Sequence, residues 1–215
     1  IAASIGAALV LLAILAISYR IRDNVVMLIV GIMVANITIA IVSIWQFFSN
    51  PEQMQEYILW TFGSLGGVTT SQLQVLGLIV SLGVLMTFAL SKTLNALLLG
   101  EDYAQSMGLN IRKSRFAIIG VTSILAGAIT GFCGPIGFVG IAVPHLTRSF
   151  LNTSDHRILI PSCVLVGAIL MLVCDIISQV PGSNTVLPVN AITAMIGSPI
   201  VIWIIVKRRN LKASF

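Results

Sequence analysis

Three cysteines, two histidines and seven acids are the side chains of this sequence most suited to chemistry, and their spacing excludes most of it. Cys133, Cys163 and Cys174 each lie in an apolar segment, without CxxC or Cys/His spacing. Neither a metal site nor a redox pair is expected from them, and each reads as a small buried hydrophobe. His145 and His156 stand eleven residues apart with no carboxylate pattern between them. His145 follows Pro144, but no Ser or Cys is placed by sequence to act with it, so an intramembrane enzyme lacks its nucleophile and base. Asp175 is a single acid inside a long apolar run. A proton relay needs a chain of ionisable groups, so Asp175 reads as a structural hydrogen-bonding group near the end of its segment. Glu101 and Asp102 differ. They follow Gly100, with Gly108 two turns further on. Acids at the positive end of a helix dipole and a glycine at its C-terminus predict a short ordered helix, in which Gly108 takes a positive φ.

The elements around these residues are set by hydropathy. The chain is 57% hydrophobic and 9% charged, with mean hydropathy +1.04, far from the roughly one-quarter charged residues of a soluble domain. Its net charge of +5 forms no continuous basic face, which excludes nucleic acid as a partner. The twelve basic residues instead form four clusters: Arg20 and Arg22; Lys92 with Arg112, Lys113 and Arg115; Arg148 and Arg157; and Lys207, Arg208, Arg209 and Lys212. Cytoplasmic loops carry such excess. The expected topology therefore puts 20–23, 91–115, 151–157 and the C-terminal tail in the cytoplasm, with 49–71 and 179–187 outside.

About 20 apolar residues cross a bilayer, which predicts an all-α transmembrane bundle of about seven spans in one domain, residues 1–215. The spans are near 1–18, 24–48, 72–90, 116–132, 136–150, 158–178 and 188–206. Residues 49–71 contain Pro51, Glu52 and Glu56 before the aromatics Tyr57 and Trp60, and read as an amphipathic segment in the outer interface. Residues 91–115 form the longest polar segment, suited to docking another protein. The chain begins with Ile inside an apolar run, which reads as a truncation with an odd number of preceding spans.

Gly131, Gly134, Gly137 and Gly140 recur every three residues, with Pro135 in the same connection and Pro144 beyond it. Small residues let backbones approach closely between membrane helices. This connection reads as a tight hairpin, or as an irregular segment beside a translocation path. Gly197 and Pro199 should loosen the last span. Asn36 and Asn190 read as interhelical hydrogen-bonding groups.

Leu99-Gly100-Glu101 with Ala104 and Gly108 resembles the cytoplasmic coupling segment of the permeases that import iron–siderophore complexes, haem and vitamin B12, the FecCD-like type II ABC importers. The resemblance continues through Gly134-Pro135-Ile136-Gly137-Phe138-Val139-Gly140, Val143-Pro144-His145, Ser154-Asp155-His156-Arg157, Asp175, Leu187-Pro188-Val189 and Ile196-Gly197-Ser198-Pro199. Asn190 stands where members usually carry Gly. The resemblance implies a ten-span subunit, of which this chain supplies spans 4–10, paired with a second permease subunit as a homo- or heterodimer. It implies a cytoplasmic ATP-binding subunit that holds ATP and Mg, a periplasmic or lipoprotein substrate-binding protein, and residence in the bacterial inner membrane. Coupling would fall to Leu99, Gly100, Glu101, Asp102, Tyr103, Ala104, Ser106, Met107 and Gly108. The path and its support would involve Gly134, Pro135, Gly137, Gly140, Pro144, His145, Gly197 and Pro199. The chain has no G-x-x-x-x-G-K-[ST] loop, so no catalytic residue, metal or cofactor is expected on it. The alternative is a secondary transporter or channel working without an ATPase.

Overall fold

The structure is a computed structural model that describes residues 2–18, 24–179 and 186–212. Ten helices follow in chain order: α1 (Ala2–Ser18), α2 (Asn24–Phe48), α3 (Pro51–Thr61), α4 (Thr70–Ala89), α5 (Ser91–Leu97), α6 (Glu101–Ser106), α7 (Ile111–Cys133), α8 (Val139–Leu151), α9 (His156–Ser178) and α10 (Val189–Lys212). No strand occurs among the described residues.

Among the described residues four helical stretches are long and apolar enough to cross a bilayer: Leu28–Phe48, Thr70–Ala89, Ile111–Cys133 and His156–Ser178. They account for four of the roughly seven spans expected. Helix α1 has 17 described residues, at the lower end of the length that crosses a bilayer. Helix α8 has 13 residues, and α10 runs from Val189 to Lys212 with a sequence that stays apolar as far as Val206. The basic loop at 20–23 and most of the connection at 179–187 lie outside the described residues.

Capping explains where the helices start. Asn50 precedes Pro51 at the first position of α3, where a missing N–H costs nothing. Every residue of α3 is exposed or half-buried, and its Tyr57 and Trp60 rings lie 5.8 Å apart. At α4 the Thr69 N–H donates to Gln72 Oε1 at 3.0 Å. Helix α7 begins five residues earlier than its apolar run, because the Asn110 side chain accepts from the Lys113 N–H at 3.1 Å. The cap draws the basic run Arg112–Arg115 into the helix. Asp155 caps α9 through the Arg157 N–H at 2.9 Å.

Helix α7 packs against α1 and α4, and α9 packs against α4, α5, α8 and α10. Buried Ser123, Gly127 and Ala128 make the inner face of α7, and Gly83 of α4 receives Leu125 of α7 with no room for a Cβ. This is the small-residue packing of membrane bundles. The outward surface is apolar throughout: Ile32, Ile39, Leu78, Leu85, Leu165 and Leu172 are each at least half exposed.

Candidate functional site

The helix foreseen after Gly100 is α6, six residues long. Gly100 caps it with φ 104° and Gly108 follows it with φ 85°. The Gly108 N–H donates to the Gln105 carbonyl at 2.9 Å and the Leu109 N–H to the Ala104 carbonyl at 3.1 Å. This pair of bonds is a Schellman motif, and it requires the positive φ expected of Gly108. Nothing lies within 4 Å of where a Cβ would stand on Gly100 or Gly108, so a side chain at either position would strain only the backbone. Ala104 is fully buried and pins α6 to the bundle. Glu101 pairs with Arg115 at the start of α7. Asp102, Ser106 and Gly108 are exposed, and so are Leu98 (50%), Leu99 (65%), Tyr103 (53%) and Met107 (52%). These four large side chains, beside two acids and outside the long apolar helices, make a surface suited to a protein partner.

Helix α5, unforeseen in the sequence, ties this segment to α9. The Asn95 Nδ2 donates to Asp155 Oδ1 at 2.6 Å, while Asn95 Oδ1 accepts from the His156 backbone N–H at 2.8 Å and lies 2.7 Å from His156 Nδ1. The Asp155 N–H donates to Thr153 Oγ1 at 3.2 Å. The Arg157 backbone N–H, then the Asn95 amide, hold the Asp155 carboxyl below its usual pKa.

The opposite end of the bundle is assembled from backbone. Gly134 has φ 80°, and a Cβ there would overlap the Trp60 carbonyl oxygen and stand 3.0 Å from Gly63 Cα. The Ser64 N–H donates to the Cys133 carbonyl at 2.9 Å. Asn190 joins three segments: its N–H donates to the Phe62 carbonyl at 3.1 Å, its Oδ1 accepts from the Gly137 N–H at 3.0 Å, and its carbonyl accepts from Thr193 Oγ1 at 3.0 Å. The interhelical role expected of Asn190 is met. Phe138 takes φ 64°, a conformation uncommon for a bulky residue, and lies against Gly197, where a Cβ would stand 2.9 Å from Phe138 Cβ.

The structure thus gathers Gly134, Pro135, Gly137 and Gly197 around one junction and leaves others apart. Pro144 lies inside α8, with Gly140, which has open space beside it, one turn earlier, where the proline ring would crowd the backbone. His145 and Pro199 are exposed. Asp175 accepts from Gln179 Nε2 at 2.8 Å, the structural role expected of it. Asn36 is exposed on α2. Among the described residues no group of three or more His, Cys, Asp or Glu gathers. The contacts missed by sequence reasoning are Asn95 with Asp155 and the strained Phe138. A lone Asn between Leu94 and Ala96 gives no signal of a partner sixty residues away.

Apolar helices of spanning length, with irregular glycine-rich backbone between them, mark an integral membrane protein. The chain belongs to the FecCD transport family, which matches residues 1–207. It is 31% identical over 187 residues to the hemin transport system permease protein HmuU of Yersinia pestis, covering 87% of this chain and 56% of that protein. It is 32% identical over 206 residues to the vitamin B12 import system permease protein BtuC of Klebsiella pneumoniae, covering 95% and 61%. The chain therefore spans a little over half the length of these relatives. A solved structure described as an inward-facing conformation of a metal-chelate type ABC transporter superposes with TM-score 0.82 at 27% identity, covering 92% of this chain and 63% of that one.

Proposed function

We propose that this chain is the permease of an ATP-driven importer in the bacterial inner membrane, and that its cargo is a metal chelate: an iron–siderophore complex, haem or a cobalamin. The observation that carries the reading is the α5–α6 surface. It is ordered by two positive-φ glycines and the Glu101–Arg115 pair, yet it presents Leu98, Leu99, Tyr103 and Met107 outward. A separate ATPase binds there and holds ATP and Mg. A second permease subunit completes the path, and a substrate-binding protein delivers cargo from outside. The basic clusters place 91–115, 151–157 and the C-terminus in the cytoplasm, in keeping with α5, α6 and the start of α9 sharing one end of the bundle.

Closure of the ATPase on ATP moves α5 and α6 and tilts the spans that they join. Cargo passes beside the Gly134–Gly140 connection, Pro144, His145, Gly197 and Pro199, where small residues let the supporting segments pack closely. The energy comes from the ATPase.

The test is reconstitution of the full-length protein with its ATPase and binding protein, reading ATP-dependent uptake of haemin and of cyanocobalamin. Gly108→Val should reduce uptake and substrate-stimulated ATPase at least roughly fivefold, because a β-branched residue resists positive φ. Uptake that persists without ATP would establish the secondary-transporter alternative instead.

A further inference from the structure

The Ser154–Arg157 stretch has no task in the mechanism above, yet it receives the densest set of side-chain hydrogen bonds between distant segments. Asn95 uses both halves of its amide on it. Nδ2 donates to Asp155 Oδ1, and Oδ1 accepts from the His156 N–H and meets His156 Nδ1, all within 2.6 to 2.8 Å. Asp155 in turn caps α9. Helix α5 is only seven residues long and leads directly to α6. A helix this short gains little stability by itself, so its attachment is set by what it touches, and it packs on α9. Helix α9 contacts α4, α8 and α10, and α8 and α10 carry the glycine-rich junction at the far end.

We propose that Asn95 is a positioning residue that clasps the docking segment to the start of α9, so that movement of α5–α6 reaches α8 and α10 through α9 and not only through the covalently joined α4 and α7. The covalent route alone leaves α9 behind when α6 is displaced. The clasp moves α9 with α5, because an amide bonded in both directions fixes α5 in translation and in rotation. Asn is the residue the geometry demands. A carboxylate would face Asp155, and an aliphatic side chain would leave the His156 ring and the Asp155 oxygen unserved. The inference rests on the permease reading.

The test uses the full-length permease with its ATPase and binding protein in proteoliposomes, with haemin and cyanocobalamin as probes. Asn95→Asp removes the donor to Asp155 and sets two carboxylates together. The exchange Asn95→Asp with Asp155→Asn restores a complementary pair with donor and acceptor reversed. Asp155→Asn in the exchange turns its amide nitrogen toward position 95 and gives up the Arg157 cap, because both bonds converge on Asp155 Oδ1. Asn95→Asp should lower uptake per ATP hydrolysed by roughly fivefold or more, with ATP hydrolysis itself little changed, and the exchange should recover most of it. A merely structural defect would lower uptake and hydrolysis together. Asn95→Asp with wild-type uptake per ATP, or an exchange variant as uncoupled as the single one, overturns the clasp. If Asn95→Asp does not assemble, the exchange variant decides by the same ratio. If the wild-type complex takes up neither probe nor a ferric siderophore with ATP, the permease reading fails by itself. The clasp is then judged on spin labels at Lys92→Cys and Arg157→Cys, with the native cysteines replaced by alanine. Their distance distribution should be narrow in the wild-type background, broad with Asn95→Asp and narrow again in the exchange. An unchanged distribution overturns it.

Discussion

The two ends of the bundle are held together by different means. At the end that carries α5 and α6, distant segments meet through side chains: Asn95 with Asp155 and His156, and Glu101 with Arg115. At the end built on 62–64, 134–138 and 187–190, they meet through backbone: the Ser64 N–H on the Cys133 carbonyl, the Asn190 N–H on the Phe62 carbonyl and the Leu187 N–H on the Ser178 carbonyl. A side-chain contact can be remade after a shift of an ångström or two, because rotamers adjust. A backbone contact with no space for a Cβ either fits or separates. The first end can therefore absorb small shifts, and the second holds one arrangement.

The largest effect should follow from Gly134→Val. The new side chain would meet the Trp60 carbonyl and would have to adopt φ 80°, and each of these strains is of order 1–3 kcal/mol. Loss of a monodisperse peak on size-exclusion chromatography, or a melting temperature lowered by several degrees, is expected. Wild-type behaviour would erase the distinction between the two ends, since Gly108→Val, which meets no neighbour and carries only the strain of its positive φ, should lower the melting temperature less.

Asn190→Ala should have an intermediate effect. It removes the acceptor for the Gly137 N–H while the backbone bond to Phe62 remains, and a lost hydrogen bond in such a place weakens stability by about 1–3 kcal/mol. Thermal unfolding in detergent measures it. A change as large as that of Gly134→Val would mean that the second end depends on its one side chain after all.

The smallest effect is a dependence on pH at the first end. The Asp155 carboxyl is held below its usual pKa by the Arg157 N–H and then the Asn95 amide. A depressed carboxylate adds stability that is complete above the unfolded pKa of about 3.9 and fades as pH falls through the lower folded value. The difference in melting temperature between wild type and Asp155→Ala should therefore be constant from pH 7 to about 5 and shrink only in stronger acid. Shrinkage already near neutral pH would mean that another group governs the cap.

Much of this architecture is legible in the residues because it is local. A run of apolar residues that ends at Phe48 or Ala89 makes a helix wherever it sits, and Pro51 begins a new one. Gly100 and Gly108 predict α6, because positive φ and a Schellman closure depend on a few consecutive residues. The start of α7 is less legible. Hydropathy begins at Phe116, but the helix begins at Ile111 because the Asn110 side chain captures the Lys113 N–H. Helix α5 is not legible, since Ser91–Leu97 shares the composition of the polar segment around it.

The sequence by itself determined an all-helical chain of membrane composition, the two glycines that frame α6, the glycine-rich connection after Cys133 and the family resemblance. Only the tertiary structure decided that Asn95 meets Asp155 and His156, that Asn190 joins the turn at Phe62 to Gly137, and that Phe138 lies strained against Gly197. The physical reason is range. Hydropathy, capping and φ preference act within a few residues, whereas a hydrogen bond between segments some sixty residues apart depends on how the intervening helices pack, and no single residue carries that information.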